Sequence, residues 1–207
     1  MYFRQIQDPA TASLCYLLAD RASGEAVAID PLPSHALLLL AILQEQALTL
    51  RHLLRTHVHP GRQYESPLLG LPGLVVGQGE AALCAPADRH FVDGDEVGFG
   101  TEAVRILATP GHTPGCVSYL WRDRLFCGDV MEINGCGQPV DETDPGAMYD
   151  SVTGHIFTLP DETLLFPAHD YRGRTVSTVA EERRMNTSFS GLSREAFVTD
   201  MRNRARD

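Results

Sequence analysis

Four short apolar runs in this chain each end in a residue that can bind a metal, and each is followed at once by a turn. Leu50–Thr56 delivers His57 and His59, and "AVRILATP" leads into Gly111-His112-Thr113-Pro114-Gly115. "LFC" leads into Gly128-Asp129, and "LLFP" into Ala168-His169-Asp170. Short runs rich in Leu, Val, Ile and Phe and bounded by Gly and Pro read as β-strands. Donors at the ends of adjacent strands converge on one rim of a sheet, where Gly and Pro shape the loops. The chain must therefore fold so that four strand ends gather His57, His59, His112, Asp129 and His169. Imidazole and carboxylate together suit a borderline first-row metal. His35, His52, His90 and His155 fall outside such contexts and read as ordinary histidines.

The other segments suggest layers around this rim. "YFRQIQ", "SLCYLLAD" and "EAVAID" are strand-like, with breaks at Asp8-Pro9 and Ser23-Gly24. Ser34 reads as the N-cap of a helix whose stretch from Ala36 to Leu43 is apolar all round, which implies that it is well buried. Short strands are expected around Leu74–Val76 and Glu96–Phe99, and a hairpin in "CVSYLWRDRLFCGD". A long loop runs from Met131 to Pro145, followed by a helix through Tyr149–Phe157. Two helices close the chain, one near Val179–Met185 and one starting at Ser193, and the terminal "RNRARD" reads as a solvated or frayed helix end. Strands interleaved with helices give an α/β or layered α+β class. With no linker or repeat, residues 1–207 read as a single domain.

Charge and cysteine usage narrow the partners. Seventeen Lys plus Arg against 27 Asp plus Glu give a net charge of −10, which argues against nucleic acid or an anionic membrane surface as a partner. An anionic small molecule remains compatible, because arginines can be concentrated in one cleft. The longest apolar run, Ala36 to Leu43, is too short to span a bilayer. Five cysteines without a CxxC pair fit free thiols in a reducing compartment, so a cytoplasmic location is expected. Cys15, Cys84, Cys116 and Cys127 read as small packing residues.

The order HxH, "TPGHTPG", "GD", "PAHD" resembles the metallo-β-lactamase superfamily, over nearly the whole chain. "TPGHTPGCVSYL", "CGDVMEINGCG" and "IFTLPDETLLFPAHDYRGRTVSTVAEERRMN" resemble its persulfide dioxygenase (sulfur dioxygenase) branch more closely. The glyoxalase II hydrolases are the neighbouring branch. The resemblance implies a metallo-β-lactamase-type αββα sandwich with the metal site along one edge. It implies one Fe(II) per chain, held by His57, His112 and Asp129, with His59 and His169 as alternative ligands or outer hydrogen-bonding groups. It implies a glutathione-type persulfide and O2 as small-molecule substrates, oxidised to sulfite and thiol, and a homodimer as the assembly.

The chain departs from the branch at two places. The superfamily's first motif usually reads HxHxDH, and its trailing Asp and His serve a second metal in the dinuclear hydrolases. Here those positions hold Gly61, which has no donor, and Arg62, which stays cationic. In the loop that usually reads close to "RGCGRTDF", this chain has Asn134, Gln138 and Val140 in place of two arginines and an aspartate, while Cys136 and, further on, Tyr171 are retained. The resemblance implies that Cys136 lies either in the core or, with Tyr171, near the substrate. Gln138, Arg62, Arg172 and Arg174 become the candidates for contacting an anionic substrate. Two other readings stay open: a zinc-dependent thioester hydrolase with His59 as third histidine, since zinc accepts much the same ligands, and a family member without catalysis.

Overall fold

The computed structural model describes residues 1–171 and 173–205. Two six-stranded sheets face each other. The first comprises β1 (Tyr2–Gln7), β2 (Leu14–Asp20), β3 (Glu25–Ile29), β4 (Thr49–Leu54), β5 (Val75–Gly79) and β6 (Arg89–Phe91), in that spatial order. The second comprises β7 (Glu96–Phe99), β8 (Glu102–Ala108), β9 (Val117–Trp121), β10 (Arg124–Gly128), β11 (Leu164–Pro167) and β12 (Ser177–Thr178), again in sequence order. The β3–β4, β4–β5, β5–β6 and β10–β11 pairs are parallel, and the other pairs are antiparallel.

Alternation along each strand builds three apolar layers. In β2, Leu14, Tyr16 and Leu18 point between the sheets, where they meet Val104, Ile106, Tyr119, Trp121, Phe126 and Phe166. The other face of β2, with Cys15, Leu17 and Ala19, packs under α1 (Ala36–Glu45) through Leu39, Ile42 and Leu43. The outer face of the second sheet, with Leu107, Leu125 and Leu165, is covered by α2 (Pro145–Ser151), α3 (Val179–Met185) and α4 (Arg194–Arg204). The result is the αββα sandwich. No helix among the described residues is long and apolar enough to cross a membrane.

Several local expectations are corrected. Ser34 does not cap α1, because Pro33–His35 forms a 3₁₀ turn before the helix and the Ser34 hydroxyl donates to Asp8 Oδ2 at 2.6 Å. The apolar helix is not buried all round, since Leu37 and Leu38 face outward, away from the single sheet that α1 covers. The helix expected through Tyr149–Phe157 begins earlier: Asp144 caps the Gly146 and Ala147 amides with Pro145 at the first turn, and residues 152–156 continue as a π-turn. Cys84 is exposed in the β5–β6 connection, whereas Cys15, Cys116 and Cys127 are buried as expected.

The ends of β4, β8, β10 and β11 lie along one edge where the sheets touch. The Val117 amide donates to the Thr56 carbonyl at 2.8 Å and the Leu14 amide to the Ala168 carbonyl at 2.7 Å. Gly128 lets the ends of β10 and β4 abut: its φ is +61°, and a Cβ there would stand 2.6 Å from Thr56 Oγ1. Gly128→Ala should therefore lower unfolding free energy by about 2–4 kcal/mol, from left-handed backbone strain plus overpacking. Urea denaturation checks this, and a loss below about 1 kcal/mol would mean that the two strand ends are not rigidly abutted.

Candidate metal centre

Each strand end contributes its residue to one cluster. His57 and His59 follow β4, His112 follows β8, Asp129 follows β10 and His169 follows β11. Asp129 Oδ2 lies 3.4 Å from His57 Nε2 and 3.7 Å from His112 Nε2. His59 Nε2 lies 3.3 Å from His112 Nε2, and the three imidazoles of His57, His59 and His112 meet edge to face. One donor atom from each of His57, His59, His112 and Asp129 falls within 4.8 Å of all the others. His169 is not in this foursome; its Nδ1–H donates to Asp129 Oδ1 at 2.7 Å, which makes it the group that fixes the carboxylate.

The donor set fits a single first-row ion. Ligand atoms about 2.1 Å from such an ion stand about 3.0 Å apart at a right angle and about 3.4 Å apart at a tetrahedral angle, close to the spacings here. His57 Nε2 is buried and has no hydrogen-bond partner, as a lone pair reserved for a metal would be. Protonation states favour ligation too. Burial pulls the His57 imidazole down to about 3, so it is neutral. Burial likewise depresses His112 and His59. Burial alone would raise Asp129, but His57, His169 and His112 together outweigh it and hold the carboxylate ionised.

A hydrogen-bond chain that sequence reasoning missed sets the His57 tautomer. Thr56 donates its amide to Asp30 Oδ1 at 2.8 Å and its hydroxyl to Asp30 Oδ2 at 2.7 Å. That hydroxyl proton is then spent, so Thr56 Oγ1 must accept from His57 Nδ1–H, 2.9 Å away. Nε2 is left as the bare donor. Asp30 stands at the end of β3 with φ +51°, and burial pushes its carboxyl up to about 6. Tyr64 anchors the His59 backbone, its hydroxyl accepting the His59 amide at 2.5 Å. Nothing in the spacing of Asp30, Thr56 and Tyr64 marks them; only the aspartate closing an apolar strand, in "EAVAID", gave a faint signal.

The remaining sequence candidates divide. Tyr171 is exposed and stacks on His169, with centroids 5.2 Å apart and rings 7° from parallel. Arg62 is exposed and lines an open pocket beside His57 and His169. Gly61, at φ +73°, turns the chain there. Cys136 lies in the apolar layer under the helices, with Met148, Phe197 and Met201. Its neighbour Gly137 presses on the Asp129 backbone, where a Cβ would stand 2.3 Å from the Asp129 carbonyl oxygen. Cys136 is thereby turned under α4, its thiol against Met201 Sδ at 3.6 Å, and burial raises its pKa. Gln138 presents its backbone toward His112 while the residue is exposed. Arg174 is paired with Glu181. Arg172 lies outside the described residues. His35, His52, His90 and His155 do not belong to the donor group.

Comparison with known proteins follows the same line. No family model matches the chain. It is 42% identical over 207 aligned residues, 97% of its own length and 80% of the relative's, to human "Persulfide dioxygenase ETHE1, mitochondrial". It is 35% identical over 161 residues to a hydroxyacylglutathione hydrolase of Rhodospirillum rubrum, covering 75% of this chain and 61% of that one. The crystal structure of ETHE1 from Myxococcus xanthus superposes with a TM-score of 0.91 at 41% identity, over 98% of this chain and 91% of that chain. With the αββα layers, the strand-end donors and the near-full-length similarity all agreeing, the chain belongs to the persulfide dioxygenase branch of the metallo-β-lactamase superfamily.

Proposed function

We propose that the protein is a mononuclear, Fe(II)-dependent persulfide dioxygenase, converting R–S–SH, O2 and H2O to R–SH and sulfite with release of two protons. The observation that carries this reading is the one donor group found among the described residues, at the strand ends, with Gly61 and Arg62 where the dinuclear pattern would place ligands. His57, His112 and Asp129 would hold the iron, with His59 close enough to join them. A bound Fe(II) would supply open positions at which a soft, anionic sulfur and dioxygen meet, together with the electrons that activate dioxygen.

The chain's own residues do the positioning. Asp30 and Thr56 keep the His57 proton on Nδ1. His169 keeps the Asp129 carboxylate aimed at the histidines. Tyr171, stacked on His169, offers an aromatic surface to the substrate, and the pocket on the His57 side is open to it.

Protein loaded anaerobically with Fe(II) should bind one iron per chain, and should take up oxygen and release sulfite when given glutathione persulfide. Bound iron without persulfide-dependent uptake overturns the dioxygenase reading. A second reading, a single-zinc thioester hydrolase, is favoured by the proximity of His59 Nε2 to His112 Nε2, which completes a three-histidine set. It predicts chelator-sensitive S-lactoylglutathione cleavage by the zinc form and no oxygen uptake by the iron form.

A further inference from the structure

We infer that the pocket beside His57 and His169 seats a carboxylate of the substrate, and that Arg62 is the residue that selects for it. The inference rests on the persulfide reading, and it names the side of the metal centre from which the substrate's anionic end is held.

Two arginines line this pocket. Arg55 is only 5% exposed. Its Nη1 donates to Gln78 Oε1 at 3.1 Å and to the Pro86 carbonyl at 2.8 Å, and the guanidinium lies 4.7 Å over the Tyr64 ring. No carboxylate among the described residues forms an ion pair with it. Arg62, on the next loop, is also without an ion pair among the described residues. The lining contains one carboxylate, Asp30, and both its oxygens are committed to Thr56. Asp30 attracts both guanidinium groups without an ion pair to either, so two arginines share one carboxylate and the recess favours an incoming anion.

Arg62 lines the recess together with His57 and His169. Leu14, Leu32 and Leu53 give the same pocket an apolar wall suited to an aliphatic stem. Among the described residues, the loops on the other side of the centre offer no unpaired cation: Asn134 bonds Thr187, Gln138 is neutral, and Arg174 is held by Glu181. A substrate whose carboxylate meets Arg62 in this recess lies beside His57 and His169.

The test uses S-methylglutathione, whose blocked sulfur cannot act as a thiolate ligand, so that binding reports on the pocket whether or not the protein turns over. Calorimetry on full-length protein should show R62Q weakening this ligand at least tenfold and R62K falling between. Affinity should decline with salt, as charge pairing requires. The dimethyl ester of S-methylglutathione should bind wild type and R62Q within twofold of each other. Arg62 is exposed, so the variants keep the fold, which a thermal melt verifies. In turnover, R62Q should raise KM for glutathione persulfide more than it lowers kcat. Equal binding of the acid by wild type and R62Q, an equal loss for acid and ester, or no binding by wild type overturns the inference. Arg62-dependent binding without oxygen uptake would instead remove the persulfide reading and leave the carboxylate seat standing.

Discussion

Asp129→Asn should empty the metal centre while leaving the fold intact. In the wild-type protein Asp129 Oδ1 accepts from His169 Nδ1–H at 2.7 Å, and Oδ2 faces His57 Nε2 at 3.4 Å and His112 Nε2 at 3.7 Å. An asparagine keeps the His169 bond only by placing its carbonyl oxygen there, which turns its NH2 toward the two imidazole nitrogens. The variant then lacks the negative charge and also donates protons to the lone pairs a metal needs. The same geometry satisfies the otherwise orphaned His57 Nε2, so the metal-free fold loses little. Metal content should fall from one ion per chain to a small fraction. Sulfite formation should fall by roughly a thousandfold or more, beyond the 10–100-fold typical of losing an outer partner of a ligand. Elemental analysis, a sulfite assay and a thermal melt on the same preparation read the three quantities. Stoichiometric metal in the variant would mean that Asp129 is not a ligand and that the three histidines suffice.

The cluster at the strand ends was legible in the sequence because each member sits where an apolar strand stops. The Leu, Val and Phe runs before His57, His112, Asp129 and His169 reveal both the strands and the rim. The layers were legible for the same reason: β2 carries apolar residues on both faces, which only a strand between a second sheet and a helix can bury. What supports the ligands was not legible. Asp30 lies 26 residues before Thr56, and a sequence shows no sign that a turn at φ +51° will bring them together. For Cys136 the resemblance leaves the core and the substrate side both open, and its place against Met201 under α4 is a contact that exists only in three dimensions. The start of α2 was readable in Asp144-Pro145, a cap followed by a proline, yet the surrounding Gly- and Pro-rich loop masked it.

Asp30→Asn should separate stability from metal binding, because the carboxylate serves the metal at the expense of the fold. Its pKa is raised from 3.8 to about 6, so the folded protein holds the Asp30 proton more tightly than the unfolded chain does. Stability linked to this group is therefore present below about pH 4 and is lost as pH rises through about 6, by up to ~3 kcal/mol. An asparagine does not ionise, so the variant should lose this dependence between pH 4 and 6 and should be at least as stable as wild type at pH 8. The hydrogen-bond chain, however, runs backwards. The carbonyl oxygen of the new amide keeps the Thr56 amide, its NH2 donates to Thr56 Oγ1, and the hydroxyl must then donate to His57 Nδ1. That leaves the His57 proton on Nε2, the atom facing Asp129 and the metal position. Metal affinity should fall by about 10–100-fold with no loss of melting temperature at pH 8. Thr56→Val, which removes the hydroxyl and fixes neither tautomer, should cost less affinity than Asp30→Asn. Competition with a fluorescent chelator measures both variants. Wild-type affinity in Asp30→Asn would show that Thr56 alone fixes the tautomer, and a shared loss of affinity and melting temperature would reduce Asp30 to a structural role.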